Sequence, residues 1–270
     1  MKPLKLTSIQ SPNSEFISKS VAQYLSQHSG VAIEFVDSIP WQQRETQIDN
    51  GEIPIGWICG LPYVRKVAKP DSIIELLAAP VMASERYQNK PIYYSDVVVR
   101  ADSKFQTFED LDGASWAFNE PGSQSGYNIT RYHLATLGEF EGYFGEVTQA
   151  GSHERSLKLI LLGRVDAAAI DSTVLEIELQ RKPEIIEQIR IIETLGPSPI
   201  PPYVISTKLP KEQRQLLRAI LLDMHNHPDG QAVLQQAAML RFVAVSDADY
   251  DVIREMDMVA RTVVLGEKEK

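Results

Sequence analysis

Apolar positions along this chain switch between a period of two and a period near 3.6, and the switches come in an alternating order. LKLTSIQ reads as a strand, residues 14–27 as a helix, and VAIEFVD as a second strand, with Ser29 and Gly30 punctuating the join. Residues 41–50 then suggest a short helix and IPIGWIC a buried strand. IIELLAAPVM is a further apolar stretch and IYYSDVVVR a long β-branched and aromatic one. From Phe108 the pattern restarts with a turn of helix at FEDL, a strand at ASWAF, a helix after Ser125 and a strand near EVTQA. SHERSLKLILLG reads as a helix with Ser152 as N-cap and Gly163 just past its end, followed by the buried strand VDAAAID and the helix TVLEIELQ. After Pro210 the chain turns helical: KEQRQLLRAILLDMHNH, a break at Pro228, a helix over GQAVLQQAAML, a last helix over 247–263, and a solvated, frayed tail GEKEK. Strands and helices in alternation predict an α/β architecture with mostly parallel sheets flanked by helices.

One segment carries candidate chemistry. In EPGSQSGYNITRYHL, hydroxyls and glycines stand immediately before a helix-compatible run. The first turn of a helix leaves about four N–H groups without intrahelical acceptors, and the peptide dipoles add roughly half a positive charge there. Ser123 or Ser125 can cap such a helix, while Gly122 and Gly126 let a ligand approach the backbone. Taken alone, the segment is equally well an ordinary capped helix after a Pro-Gly turn.

Composition narrows the classes. The 270 residues are 43% hydrophobic, enough for one large or two medium cores. The net charge of −9 and the lack of a long basic run remove the footprint of a nucleic-acid binder, so any anion must be held locally. A single cysteine, Cys59, excludes an internal disulfide and any multi-cysteine metal site, and reads as a small buried hydrophobe. The amino terminus has no apolar signal-peptide core and no apolar run reaches about 18 residues, so neither export nor membrane insertion is read from the chain. That reading is cytoplasmic as the sequence stands and periplasmic if a signal has been removed. No G-x-S-x-G, H-E-x-x-H, Walker A or G-x-G-x-x-G pattern occurs, and the five histidines show no metal spacing, so no catalytic residue, metal or cofactor is assigned.

Five segments in order, IPIGWICGLPYV, YYSDVVVRADSKFQTFEDLDGASWAF, EPGSQSGY, GSHERSLKLILLGRVDAAAIDS and LPKEQRQLLRAIL, resemble the phosphonate and phosphite substrate-binding proteins of ABC transporters. The resemblance covers about residues 50–240 and implies a two-lobed type 2 periplasmic-binding-protein fold. In it, residues 1–97 plus 204–270 form one lobe and 98–203 the other, joined by two hinge strands at YYSDVVV and YVIS. It implies a solute-binding protein that closes over a small oxyanion such as a phosphonate, phosphite, phosphate ester or sulfonate, with a transporter permease as partner. A cytosolic enzyme or sensor on the same fold, of the menaquinone-pathway or thiamine-pyrimidine type, is the alternative.

The resemblance also sorts the candidate ligand-binding residues. Ser123, Ser125, Gly126 and the backbone around Gln124 match the family's oxyanion loop. His153 matches its Gly-x-His segment, with Ser156 one turn on. Asp171 ends a strand, where ligands of open α/β sheets sit, and is either a partner for a cationic group on the ligand or the N-cap of the next helix. Tyr63 is a cleft wall or a core aromatic, and of Tyr93 and Tyr94 alternation lets one face inward, with Tyr93 favoured. Gln10, Ser11 and Trp41 stand where ligand walls form, or are plain structure. The chain departs from the pattern at Gln124, where the family carries a third hydroxyl. The longer amide can donate to an anion but takes more room, which opens the choice of anion.

Overall fold

The computed structural model describes residues 3–265, so the tail GEKEK lies outside the described residues. In chain order the elements are β1 (Leu4–Ser8), α1 (Glu15–Ser29), β2 (Ile33–Phe35), α2 (Trp41–Asn50), β3 (Ile55–Trp57), α3 (Gly60–Val67), β4 (Ile74–Met82) and β5 (Ile92–Arg100). There follow β6 (Ser115–Phe118), α4 (Ile129–Leu137), β7 (Glu146–Gln149), α5 (His153–Leu161), β8 (Ala167–Asp171), α6 (Ser172–Arg181) and β9 (Ile189–Pro199). The last described elements are β10 (Tyr203–Ser206), α7 (Lys211–Asp223), α8 (Pro228–Gln236), β11 (Met239–Val243) and α9 (Asp251–Ala260).

Two compact units result, Met1–Ile92 with Pro199–Asp251, and Tyr93–Ser198 with Val252–Lys270. The family resemblance implies that residues 204–270 belong to the first lobe, with two crossings. The structure adds a third crossing, at 251/252, which sends α9 to the second unit. The reason is burial: Met256 and Val263 are buried in the second unit's aromatic core.

The first unit holds a six-stranded sheet in the order β11-β4-β10-β3-β1-β2. β1 pairs in parallel with β2 and β3, as consecutive strand-helix units require, whereas β10 and β11 pair antiparallel with their neighbours. The parallel pairs come from the βαβ pattern, and the returning strands account for the antiparallel ones. α1 buries Ile17, Val21, Tyr24 and Leu25, one stripe at helical spacing, and ends where Gly30 turns left-handed. Tyr203 on β10 meets Ser18 of α1, oxygen to oxygen at 2.8 Å, with both residues buried.

Two segments of this unit differ from the sequence reading. GLP forms the first turn of α3, because proline is tolerated where no intrahelical N–H bond is needed. Cys59 immediately precedes α3 and is half-buried rather than fully enclosed. The helix over GQAVLQQAAML stops at Gln236, and Ala238 at φ 51° releases the chain into strand β11.

The second unit is a five-stranded sheet, β7-β6-β8-β5-β9, with a core on each face. Alternation along VDAAAID explains it. Ala167 and Ala169 face a cluster containing Phe108, Trp116, Tyr143 and Phe144, while Ala168 and Ile170 face Leu157, Ile160 and Leu175 of α5 and α6. Val97 and Val99 against Val98 divide β5 in the same way. Trp116 and Phe144 stack with centroids 4.4 Å apart, the offset geometry aromatic pairs favour. β6 pairs in parallel with both β7 and β8, so the carboxyl ends of these three strands share one edge of the sheet. β5 runs antiparallel to β8.

Candidate functional site

The shared edge of β6, β7 and β8 is where the second unit's polar residues collect. After β6 the chain continues through Asn119 into Gln124–Asn128, a single π-turn in which the Ile129 N–H bonds the Gln124 carbonyl and the Asn128 N–H bonds that of Ser123. Such turns widen a helix start and recur at functional sites. Ser123 caps it, its Oγ accepting from the Gly126 N–H at 3.0 Å. The sequence allowed either serine as cap; Ser123 takes that part and leaves the Ser125 hydroxyl pointing elsewhere.

Ser125 Oγ lies 3.0 Å from His153 Nε2, and Asn119 Nδ2 lies 3.2 Å from the same nitrogen. His153 is the first residue of α5, behind Ser152, whose Oγ accepts the Arg155 N–H. The loop after β7 reaches this place because the Ala150 and Gly151 N–H groups bond the carbonyls of Phe118 and Asn119. His153 is 4% exposed, and burial pulls its imidazole down to about 4, so the ring is neutral at physiological pH.

Gly126 is required by contact rather than by dihedral angle. A Cβ there would stand 2.1 Å from Asn119 Oδ1 and 3.0 Å from His153 Cε1. The helix start, the amide and the imidazole are therefore packed against bare backbone. The N–H groups that head the turn receive no acceptor from helical geometry, and two hydroxyls stand beside them. Chemically this is a set of neutral hydrogen-bond donors suited to a small anion.

Asp171 closes the same edge. Its Oδ1 accepts from the Thr173 N–H at 2.8 Å, the Thr173 hydroxyl at 2.7 Å and the Val174 N–H at 3.4 Å, which makes it the N-cap of α6. Burial nevertheless dominates and raises its carboxyl to about 6. Ser156 is buried and donates to the Ser152 carbonyl inside α5, so it serves the helix. Asp166 accepts from both the N–H and hydroxyl of Ser115, a structural use. Tyr93, 1% exposed, packs at the start of β5.

Gln124 lies differently from its sequence reading. Its side chain is fully buried and turned inward: Oε1 accepts from Asn128 Nδ2 at 2.9 Å, and Nε2 lies 3.3 Å from Ser198 Oγ and 3.2 Å from Met256 Sδ. Asn119 joins this group without any sequence pattern that announces it. An asparagine just past a strand end carries no signal of its own, and its partner His153 stands 34 residues further on.

In the first unit, Tyr63 is 2% exposed, donates its hydroxyl to Asp247 Oδ1 at 2.7 Å and packs on Tyr250 with ring centroids 4.9 Å apart. Ser11 precedes a helical turn, its carbonyl accepting from the Ser14 N–H and hydroxyl. Trp41 opens α2. Among the described residues, no group of three or more His, Cys, Asp or Glu could hold a metal, and no helix is long and apolar enough to cross a membrane.

Two α/β units, each with one central sheet, define the class: the architecture is that of ABC-transporter substrate-binding proteins. A binding-protein component of an ABC phosphonate transporter from Pseudomonas aeruginosa superposes with a TM-score of 0.84 at 21% identity, over 97% of this chain and 87% of that one. PhnD1 from Prochlorococcus marinus MIT 9301, solved with methylphosphonate, gives 0.83 at 19% identity, over 97% and 99%. Among curated proteins, the "Probable ABC transporter phosphite binding protein PhnD1" of that strain is 22% identical over 189 residues, 68% of this chain. The match spans 63% of that relative's length. Residues 6–250 match the family of periplasmic substrate-binding proteins of phosphonate ABC transporters, and the chain belongs to that family.

Proposed function

We propose that this protein is the substrate-binding component of an ABC importer, and that it takes a small tetrahedral oxyanion of the phosphonate and phosphite class at the Ser123–Gly126 turn. The observation that carries the reading is the capped π-turn itself: Ser123 holds the Gly126 N–H, while Ser125 stands on a neutral His153 at 3.0 Å. Donors fixed before the ligand arrives lose little order on binding, and hydrogen bonds to a charged acceptor are the strong kind. His153 acts through the Ser125 hydroxyl. Because the imidazole is held neutral, attraction for the anion comes from N–H and O–H dipoles and not from a formal positive charge. Asp171, with Oδ1 committed to capping α6, offers its other oxygen to a cationic substituent of the ligand. Release to a membrane permease, on the periplasmic side in keeping with the family, completes the cycle.

Isothermal titration with methylphosphonate, phosphite, phosphate, sulfate and methanesulfonate tests this. A phosphonate or phosphite should bind, and at 100 times its Kd should add about 2.7 kcal/mol to stability. Ser125→Ala should weaken that ligand by about 1 to 3 kcal/mol. Absence of binding by all five anions would overturn the reading.

A further inference from the structure

We infer that Gln124 is a positioning residue, which braces the oxyanion turn against the carboxyl-terminal helix and makes α9 a determinant of anion affinity. The inference rests on the function proposed above. Gln124 stands in the middle of Ser123–Gly126, where a side chain aimed at the ligand would be expected. Its amide instead lies inside the second unit, with Nε2 between Ser198 Oγ at 3.3 Å and Met256 Sδ at 3.2 Å, and Oε1 on Asn128 Nδ2 at 2.9 Å. A primary amide has two N–H donors, and both have acceptors here. Turning Gln124 toward a ligand would strand a buried amide and leave Ser198 and Asn128 short of partners. Within the turn, contact with the anion is therefore left to the backbone and the serines.

Asn128 closes the π-turn from within, four residues after Gln124, so one side chain ties the first residue of the turn to its last. Met256, on α9 and 132 residues away in sequence, supplies the far anchor, and the Arg131 Nε donates to the Val263 carbonyl at 2.8 Å to hold α4 to the segment beyond α9. Met256 and Val263 are both buried in the aromatic core. A thioether is a weak acceptor, but it is polarizable and its unbranched chain fits the gap beside the amide. Releasing Gln124 would let the turn rock about Ser123, and the direction of its N–H groups and of the Ser125 hydroxyl would no longer be fixed.

The test uses full-length protein and two readings: the Kd for methylphosphonate, and amide hydrogen exchange at 124–127 without ligand, referred to exchange in α4. Gln124→Leu and Met256→Leu keep volume and remove the amide or the sulfur. Each should weaken methylphosphonate about tenfold and speed turn exchange by a similar factor. The double variant should be no worse than the poorer single, and the swap Gln124→Met with Met256→Gln should recover affinity to within about threefold. If Gln124→Leu lowers affinity but Met256→Leu does not and the swap fails to rescue, Gln124 touches the anion and the inference is wrong. Unchanged affinity and exchange in Gln124→Leu overturn it as well. Should wild-type protein bind no methylphosphonate, the proposed function fails for that anion, and the exchange reading still decides the brace: turn amides unmoved by both leucine variants would overturn it.

Discussion

Two buried titratable groups at the carboxyl edge of the second sheet respond to acid in opposite directions, and their balance yields a sharp prediction. His153 has an ordinary value of 6.5 and is pulled down to about 4 by burial. Between these values the unfolded chain holds a proton that the folded protein refuses, so stability falls as pH drops from 6.5 toward 4. Asp171 has an ordinary value of 3.8 and is pushed up to about 6, again chiefly by burial. Here the folded protein holds the extra proton, so its stability term is full below 3.8 and is lost as pH rises through 6. Each shift exceeds two pH units, and at about 1.4 kcal/mol per unit each is worth about 3 kcal/mol. In the wild type the two terms nearly cancel between pH 7 and pH 4.

Asp171→Asn removes one of them while leaving a good N-cap for α6. The stability difference between variant and wild type should therefore shift by about 3 kcal/mol against the variant on going from pH 7 to pH 4. His153→Gln should shift by a similar amount in the other direction. Urea denaturation across that range supplies the difference, with amide exchange in β8 as a reading specific to the second unit. Because groups common to both proteins drop out of the comparison, a difference that stays flat with pH would refute the assignment of a buried His153 that stays neutral down to about pH 4 and a buried Asp171 that takes up its proton near pH 6.

Gly126→Ala places a methyl group 2.1 Å from Asn119 Oδ1 and 3.0 Å from His153 Cε1, so Asn119 must move. It should cost about 1 to 3 kcal/mol in denaturant midpoint analysis and weaken anion binding beyond detection, and an unaltered Kd would place the ligand elsewhere. Tyr203→Phe strips Ser18 of its buried hydroxyl partner at 2.8 Å in the first unit. A loss of about 1 to 2 kcal/mol is expected, with Ser18→Ala adding little further in the double variant; full additivity would show that the two hydroxyls are not paired.

Much of this fold was legible because burial follows period. VDAAAID sends alternate alanines to two different cores, and α1 buries a stripe at helical spacing. Caps were legible too, since Ser152 and Asp171 bond N–H groups two or three residues ahead, a relation written in local sequence. Strand β11 was not, because QAVLQQAA is composed of helix formers and the strand begins only after Ala238 takes a positive φ. The long strand β9 also escaped, its IRIIETLGPSP carrying charge, glycine and proline that suggest a loop.

The site divides along the same line. Ser123, Ser125 and Gly126 could be read as a helix start because capping is local, and capping is what builds the turn. The direction of the Gln124 side chain could not, since the two partners of its amide nitrogen stand 74 and 132 residues away. A glutamine among serines reads as a donor for a ligand when only its neighbours are known. Buried completely, an amide must instead find partners wherever the fold brings them, and here the last helix of the chain brings one. A local motif thus identifies a capped turn, while the contacts that hold its buried glutamine close late in the sequence.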